Sequence, residues 1–271
     1  MPVLNLPNLE VLTLVNTELK TLPQLNLPKL EVLDLSYSAL EILPDLNLPN
    51  LKVLRLTSNK IKIFPKSNLP KLQELGLSGN EFIKINIFEL PNLQKLDLSH
   101  NSNLEEIVIH DLPKLQILSL SYNKKLTELP VFDFPNLQVL NVYSSGLTSI
   151  LEFKLPELQE LTLSFNKLKR VPSFNLPKLQ KLALDDNELV EVPNFNLPNL
   201  IELELYANKL TRVSPFNLPK LIKLSLYSNM LTEIPDFNLP NLQKITLYSN
   251  RFSKQQIKII KEKYGNKVTI Y

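Results

Sequence analysis

The chain has 271 residues, 44% of them hydrophobic, which is ample for a core. Its 30 Lys and Arg against 27 Asp and Glu leave a net charge of +3 with both signs interspersed, too mild for a nucleic-acid binder with a concentrated basic face. There is no cysteine, which excludes disulfides, a thiol nucleophile and a zinc–thiolate site, and no run approaches the length of a transmembrane helix.

The opening "MPVLNLPNLE" lacks a basic stretch, a long apolar run and a small-residue cleavage site, so it does not read as a signal peptide. With the missing cysteines, this favours a reducing compartment, or export without a cleavable leader, over a disulfide-rich extracellular setting. No N-x-[ST] sequon occurs.

From there the chain repeats itself. The last leucine of a Leu-Pro-x-Leu-like tetrad recurs at Leu9, Leu30, Leu51, Leu72, Leu93, Leu115, Leu137, Leu158, Leu179, Leu200, Leu221 and Leu242. The step is 21 residues, and 22 in the two copies carrying "HNSNLEEI" and "YNKKLTEL". The residue after proline mostly alternates Asn and Lys, which hints at a duplicated pair of repeats.

Each repeat holds an alternating x-L-x-L-x stretch, the pattern of a short strand with one buried face. Leu203 and Leu205 are expected to point inward, and Glu202, Glu204 and Tyr206 outward. One repeat cannot bury enough apolar surface to offset the entropy of ordering it, so the unit is stable only when stacked between neighbours.

The phrase L-x-x-L-x-L-x-x-N-x-L, standing as "LIELELYANKL" at residues 200–210, resembles the leucine-rich-repeat family in twelve in-phase copies. The resemblance implies an α/β-type solenoid of mostly short parallel strands. The expected form is a curved horseshoe of about twelve 21–22-residue repeats over residues 1–252, with a C-terminal cap over 253–271.

Asn59, Asn80, Asn101, Asn123, Asn166, Asn187, Asn208, Asn229 and Asn250 stand where the chain leaves the strand. An amide both donates and accepts, so these side chains are expected to satisfy backbone groups of adjacent coils. Thr17, Ser38 and Ser145 replace them and should make fewer bonds.

The far limb carries [IV]-P-x-F-N, where proline forbids a helix. Phe88, Phe132, Phe153, Phe174, Phe195, Phe216 and Phe237 share one column and predict an internal aromatic spine, interrupted at Ser67 and His110. Proline is lost at Asn86, Val108 and Leu151, so the middle of the array is its least regular part.

After Asn250 the pattern stops. Ser253 and Gln256 have capping-box spacing, Ile257, Ile259, Ile260 and Tyr264 supply apolar positions, and Gly265 suits a helix end. A helix followed by a strand over Lys267–Tyr271 is expected to cover the last coil. The N-terminal end has no comparable cover, so upstream residues or a partner are expected there, and the first repeat should exchange its amides fastest.

Little chemistry is visible. Four glycines in the whole chain leave no phosphate loop, and two histidines exclude a His-rich metal site. A Ser–His–Asp arrangement could form only around His100 with Asp97 and Ser121. Asp185 and Asp186 read as a solvated rim. The chain is expected to be no enzyme, with no cofactor and no metal.

The outward strand face remains. Twelve strands at roughly 4.8 Å would make a concave wall about 55 Å long, with residues 21 apart as neighbours. Tyr206, Tyr227 and Tyr248 form a tyrosine ladder flanked by Glu202, Glu204, Lys181, Lys223 and Lys244. Tyr143, Phe165 and Tyr122 widen the aromatic area. Tyrosine is favoured in interfaces, and equally a cross-strand stack stabilises a sheet. Val11, Val15, Val32 and Val53 make an apolar row near the N-terminal end.

The expected function is recognition of a protein partner by this face, without nucleic acid or a membrane span, by a monomer. The short repeat and the missing cysteine caps resemble bacterial leucine-rich-repeat proteins, including host-directed effectors. An intracellular scaffold, a substrate-selecting subunit of an enzyme, or a designed array are the alternatives.

Overall fold

The structure, a computed structural model, describes residues 4–270. The chain folds as parallel-strand coils, about twelve in number, with a single C-terminal helix. It divides into two compact units, Met1–Leu126 with Phe132–Leu137, and Thr127–Val131 with Gln138–Tyr271.

In the first unit one three-residue strand per coil builds the sheet: β1 (Val11–Thr13), β2 (Val32–Asp34), β3 (Val53–Arg55), β4 (Glu74–Gly76), β5 (Lys95–Asp97) and β6 (Ile117–Ser119). Neighbours pair parallel and in phase, as Val32 with Val53 and Lys95 with Ile117. In the second unit the series is β7 (Val139–Asn141), β8 (Glu160–Thr162), β9 (Lys181–Ala183), β10 (Glu202–Glu204), β11 (Lys223–Ser225) and β12 (Lys244–Thr246), closed by β13 (Val268–Thr269). The repeat sets this register, because a 21-residue step brings each side chain beside its counterpart in the next coil.

The alternating leucines fill the core. Leu182, Leu184, Leu203, Leu205, Leu224 and Leu226 are buried, and Glu202, Glu204 and Tyr206 stand on the outer face. In the first coil Leu9, Leu12, Leu14 and Leu19 are only partly buried, whereas their counterparts Leu30, Leu33, Leu35 and Leu40 are fully covered.

The asparagine side chains bridge coils as their position predicts. Nδ2 of Asn187 donates to the Leu163 and Leu184 carbonyls at 2.9 and 3.1 Å, and its Oδ1 accepts the Leu168 N–H at 3.0 Å. Asn166, Asn208 and Asn229 repeat the arrangement. At Ser38 the shorter hydroxyl reaches the Leu14 carbonyl only at 3.4 Å.

The residue before each asparagine was not foreseen as special. Tyr37, Ser58, His100, Tyr122, Ser144, Phe165, Asp186, Ala207, Ser228 and Ser249 all have φ between 50° and 59°, and Gly79 has 67°. This left-handed turn brings the next residue inward, asparagine in most coils and Ser38 or Ser145 in two. The same residues donate across coils, as Asp186 N–H to the Tyr206 carbonyl at 3.1 Å and Ala207 N–H to that of Tyr227 at 3.0 Å.

On the opposite limb Phe153, Phe174, Phe195, Phe216 and Phe237 stack with centroids 5.4–6.3 Å apart. Phe88 does not join them: it is 42% exposed and lies on His110. With Asn86 and Val108 where other coils have proline, Lys84–Ile87 and Glu106–Ile109 pair as four-residue parallel strands, whereas at Leu151, also without proline, no strand forms and Phe153 stays in the stack. Strand alternation then turns Ile85, Ile87, Ile107 and Ile109 inward and Phe88 and His110 outward.

The Asn–Lys alternation also has a structural reason. Nδ2 of Asn50 donates to the Pro28 carbonyl at 2.8 Å, and Lys71 Nζ donates to its Oδ1 at 2.7 Å. Asn92 with Lys114 and Asn199 with Lys220 repeat the pair, so the surface bonding has a two-coil period. Where Glu157 breaks the alternation, Lys178 forms an ion pair with it at 2.6 Å.

The C-terminal segment forms helix α1 (Lys254–Tyr264). Ser253 caps its start by accepting the Gln256 N–H at 3.2 Å, and Gly265 ends it at φ 54°. Ile260 and Ile270 are buried, Lys263 pairs with Asp236, and β13 adds in register to β12. Tyr271, the last residue of the expected strand, lies outside the described residues.

Candidate functional site

The second unit carries the tyrosine ladder, its charged neighbours and the Tyr143–Phe165 pair of the expected binding face. Each tyrosine of the ladder sits two residues beyond a strand end, on the outer side. Tyr206 and Tyr227 stack with centroids 4.4 Å apart and planes 6° from parallel, and Tyr227 and Tyr248 stack at 4.5 Å and 17°. All three are half-buried.

Phe165 and Tyr143 meet at 4.9 Å with rings tilted by 45°. Phe165 occupies the left-handed turn, one position beyond the tyrosine column, and is 44% exposed. It therefore forms a second aromatic spot and does not extend the ladder. Tyr122 belongs to the first unit, where it stacks on His100 at 4.3 Å.

The charged residues sort into two rows. Glu202, outward at the start of β10, takes Lys223 at 3.1 Å and Lys181 at 3.8 Å. Lys244 faces Lys223 across the last strand pair. Glu204 lies in the middle row between Ala183 and Ser225. Burial raises its carboxyl above the usual carboxylate range, and the neighbouring Lys181 partly opposes this.

One residue of this face was misjudged. Asp185 is only 2% exposed and is no solvated rim. Its Oδ1 accepts the Ser164 hydroxyl at 2.6 Å, and the Tyr206 phenol stands near it. A buried carboxylate is sustained by such a donor, and both side chains close over it. Burial, and next the Asp185 carboxylate, push the Tyr206 phenol far above its ordinary pKa. Tyr227 is also raised, mainly by burial, between the stacked rings of Tyr206 and Tyr248. Burial first and then Asp185 raise Asp186 as well. The sequence signal was present: Ser164, Asp185 and Tyr206 are consecutive members of one outward column.

Elsewhere the arrangement offers less. In the first unit Ser121 Oγ is buried without a hydrogen-bond partner, and Asp97 Oδ1 accepts the Ser99 N–H at 3.0 Å, so the His100 group does not form a relay. Among the described residues no cluster of His, Asp and Glu could hold a metal ion. A shallow groove in the first unit is lined by Ile42, Ile63 and Pro65 with Lys60, Lys62 and Glu81. Val11 and Val15 stand exposed at 56% and 39%, while Val32 and Val53 are half-buried.

The family model of leucine-rich repeats (two copies) matches residues 70–112 and 91–134. No curated protein sequence matches the chain. Among solved structures, YopM from Yersinia enterocolitica WA-314 is 26% identical with a TM-score of 0.73, covering 92% of this chain and 57% of its own. The present chain thus spans little more than half the length of that protein. YopM from Yersinia pestis, a leucine-rich effector protein, is 29% identical with a TM-score of 0.57 and coverages of 90% and 62%. The complex of Latrophilin 3, Unc5D and FLRT2 contributes a leucine-rich-repeat match at 20% identity and a TM-score of 0.68, covering 94% of this chain and 87% of its own, which is a likeness of fold alone. With its in-phase coils and asparagine ladder the chain has the leucine-rich-repeat fold, and residues 70–134 match that family's model.

Proposed function

We propose that this protein is a non-catalytic recognition module that binds a protein partner through the outer strand face of its second unit. The stacked row of Tyr206, Tyr227 and Tyr248 carries the reading. It is a rigid, half-exposed aromatic surface on a regular sheet, edged by Glu202, Lys223 and Lys244 on one side. Phe165 and Tyr143 provide a second anchor, and Lys181 and Glu204 complete the polar floor. Tyrosine supplies contact area and a hydroxyl at low entropic cost, which suits an interface centre. Leucine-rich-repeat relatives act as protein-binding modules, and the likeness to the Yersinia effector YopM supports a host-directed role for this chain. It acts as a monomer in this reading.

The test is capture of a partner from host lysate by the wild type and by Tyr206→Ala/Tyr227→Ala. Two aromatic contacts are lost, about 1–3 kcal/mol in all, so the double variant stays folded with Tm lowered by roughly 2–12 °C. The partner recovered by the wild type is expected to disappear. A partner retained at full strength would refute the reading, and so would a loss explained by unfolding of the variant.

A further inference from the structure

We propose, building on the reading that this face binds a protein, that the partner group it selects is an arginine side chain seated against Glu204 beside the tyrosine row. Glu204 projects from the end of β10 between Ala183 and Ser225, its direct neighbours in register. Both are short, so the carboxylate stands in a notch. Lys181 and Lys223, the nearest cations of the face, are both turned to Glu202. No ion pair among the described residues includes Glu204. The half-buried carboxylate thus feels Lys181 and Lys223 only from a distance, without a cation in contact.

The tyrosine row points the same way. The stacked rings of Tyr206, Tyr227 and Tyr248 stand half-exposed, with Tyr206 two residues beyond Glu204 on the same face. The notch therefore offers a carboxylate beside aromatic rings, and it calls for a donor with positive charge. A guanidinium brings five N–H groups in one plane, matches a carboxylate in bidentate fashion and lies flat beside aromatic rings. The chain as a whole is positive, at +3, so general attraction of cations does not explain binding at this point.

The test uses the full chain with four tetrapeptides, of arginine, citrulline, lysine and glutamate. Binding is followed by amide NMR shifts and calorimetry. The arginine peptide is expected to move the amides of Ala183, Glu204 and Ser225. Citrulline, the same shape without charge, should bind about tenfold more weakly or worse. Glu204→Gln should lose at least about tenfold in affinity for the arginine peptide while keeping the wild-type circular dichroism. Equal binding of arginine and citrulline, tighter binding of glutamate, shifts on another surface, or an unaffected Glu204→Gln would each overturn the proposal. If glutamate binds the same amides and Tyr206→Ala/Tyr227→Ala abolishes it, the arginine assignment falls while the protein-binding reading stands.

Discussion

Asn229→Ala tests whether the asparagine ladder sets the spacing of the tyrosine face. Asn229 is 7% exposed. Its Nδ2 donates to the Leu205 carbonyl at 2.9 Å and to those of Leu226 and Tyr227 at 3.1 and 3.3 Å, while its Oδ1 accepts the Leu210 N–H at 3.1 Å. Alanine strands the Leu210 N–H of the preceding coil, while the Leu205 carbonyl keeps the Asn208 Nδ2 at 3.2 Å. At about 1–3 kcal/mol for one unsatisfied buried group, the loss is about 1–3 kcal/mol. Urea unfolding reads the global part, and hydrogen exchange at the Leu210 amide reads the local part. A 2 kcal/mol effect corresponds to about thirtyfold faster exchange there. Asn241→Ala is the control, because that exposed side chain donates only to the Pro219 carbonyl and should cost well under about 1 kcal/mol. Equal effects of the two substitutions, or unchanged protection at Leu210, would mean that the strands alone hold the coils in pitch.

Ala207 sits at φ 51°, a conformation that costs a residue with a Cβ about 1–2 kcal/mol. Glycine there relieves the strain but loses about 0.5–1 kcal/mol to chain entropy, so Ala207→Gly is expected to stabilise by up to about 1 kcal/mol in urea unfolding. A loss would show that the methyl group's packing outweighs the strain. Burial raises the folded-state pKa of Glu204 above its unfolded value of about 4.3. The native state then binds the proton more tightly, so this contribution to stability is full below the unfolded pKa and lost as pH rises through the folded one. Glu204→Gln should accordingly raise Tm at pH 7, with the gain vanishing below about pH 4. A carboxyl NMR titration placing Glu204 below the exposed glutamates would contradict it.

The strands, their register and the inward leucines were legible because one phrase repeats at constant phase. The asparagine bridges and the Ser253 cap were legible because each residue type has one chemistry suited to its position. The left-handed turns were not, since Tyr37, His100, Phe165 and Ala207 share no property that announces a positive φ. Glycine marks that position only at Gly79. The fate of Asp185 was hidden for a different reason. Alternation says which face a side chain leaves from, and it does not say that Ser164 and Tyr206 will close over it. Phe88 was misplaced because its column was followed past Asn86, where the loss of proline lets a strand form and alternation takes over.

The middle of the tyrosine row constrains how a partner can read it. Tyr227 has a ring on each face, Tyr206 at 4.4 Å and Tyr248 at 4.5 Å, so it has no free face to stack with a partner. What it presents is an edge and a hydroxyl. Its rotamer freedom is already lost on folding, so binding avoids a further cost of about 0.5–1.5 kcal/mol for that side chain. Tyr227→Phe separates the two contributions. It keeps the stack and most of the area, and it removes the hydroxyl at the middle of the row. If the row acts through its hydroxyls, the variant keeps the wild-type Tm and binds the captured partner about three- to tenfold more weakly, the range expected for one hydrogen bond. Wild-type affinity in Tyr227→Phe would mean that the partner meets the row as an apolar slab, and the selection for a donor group would then lose its basis at this residue.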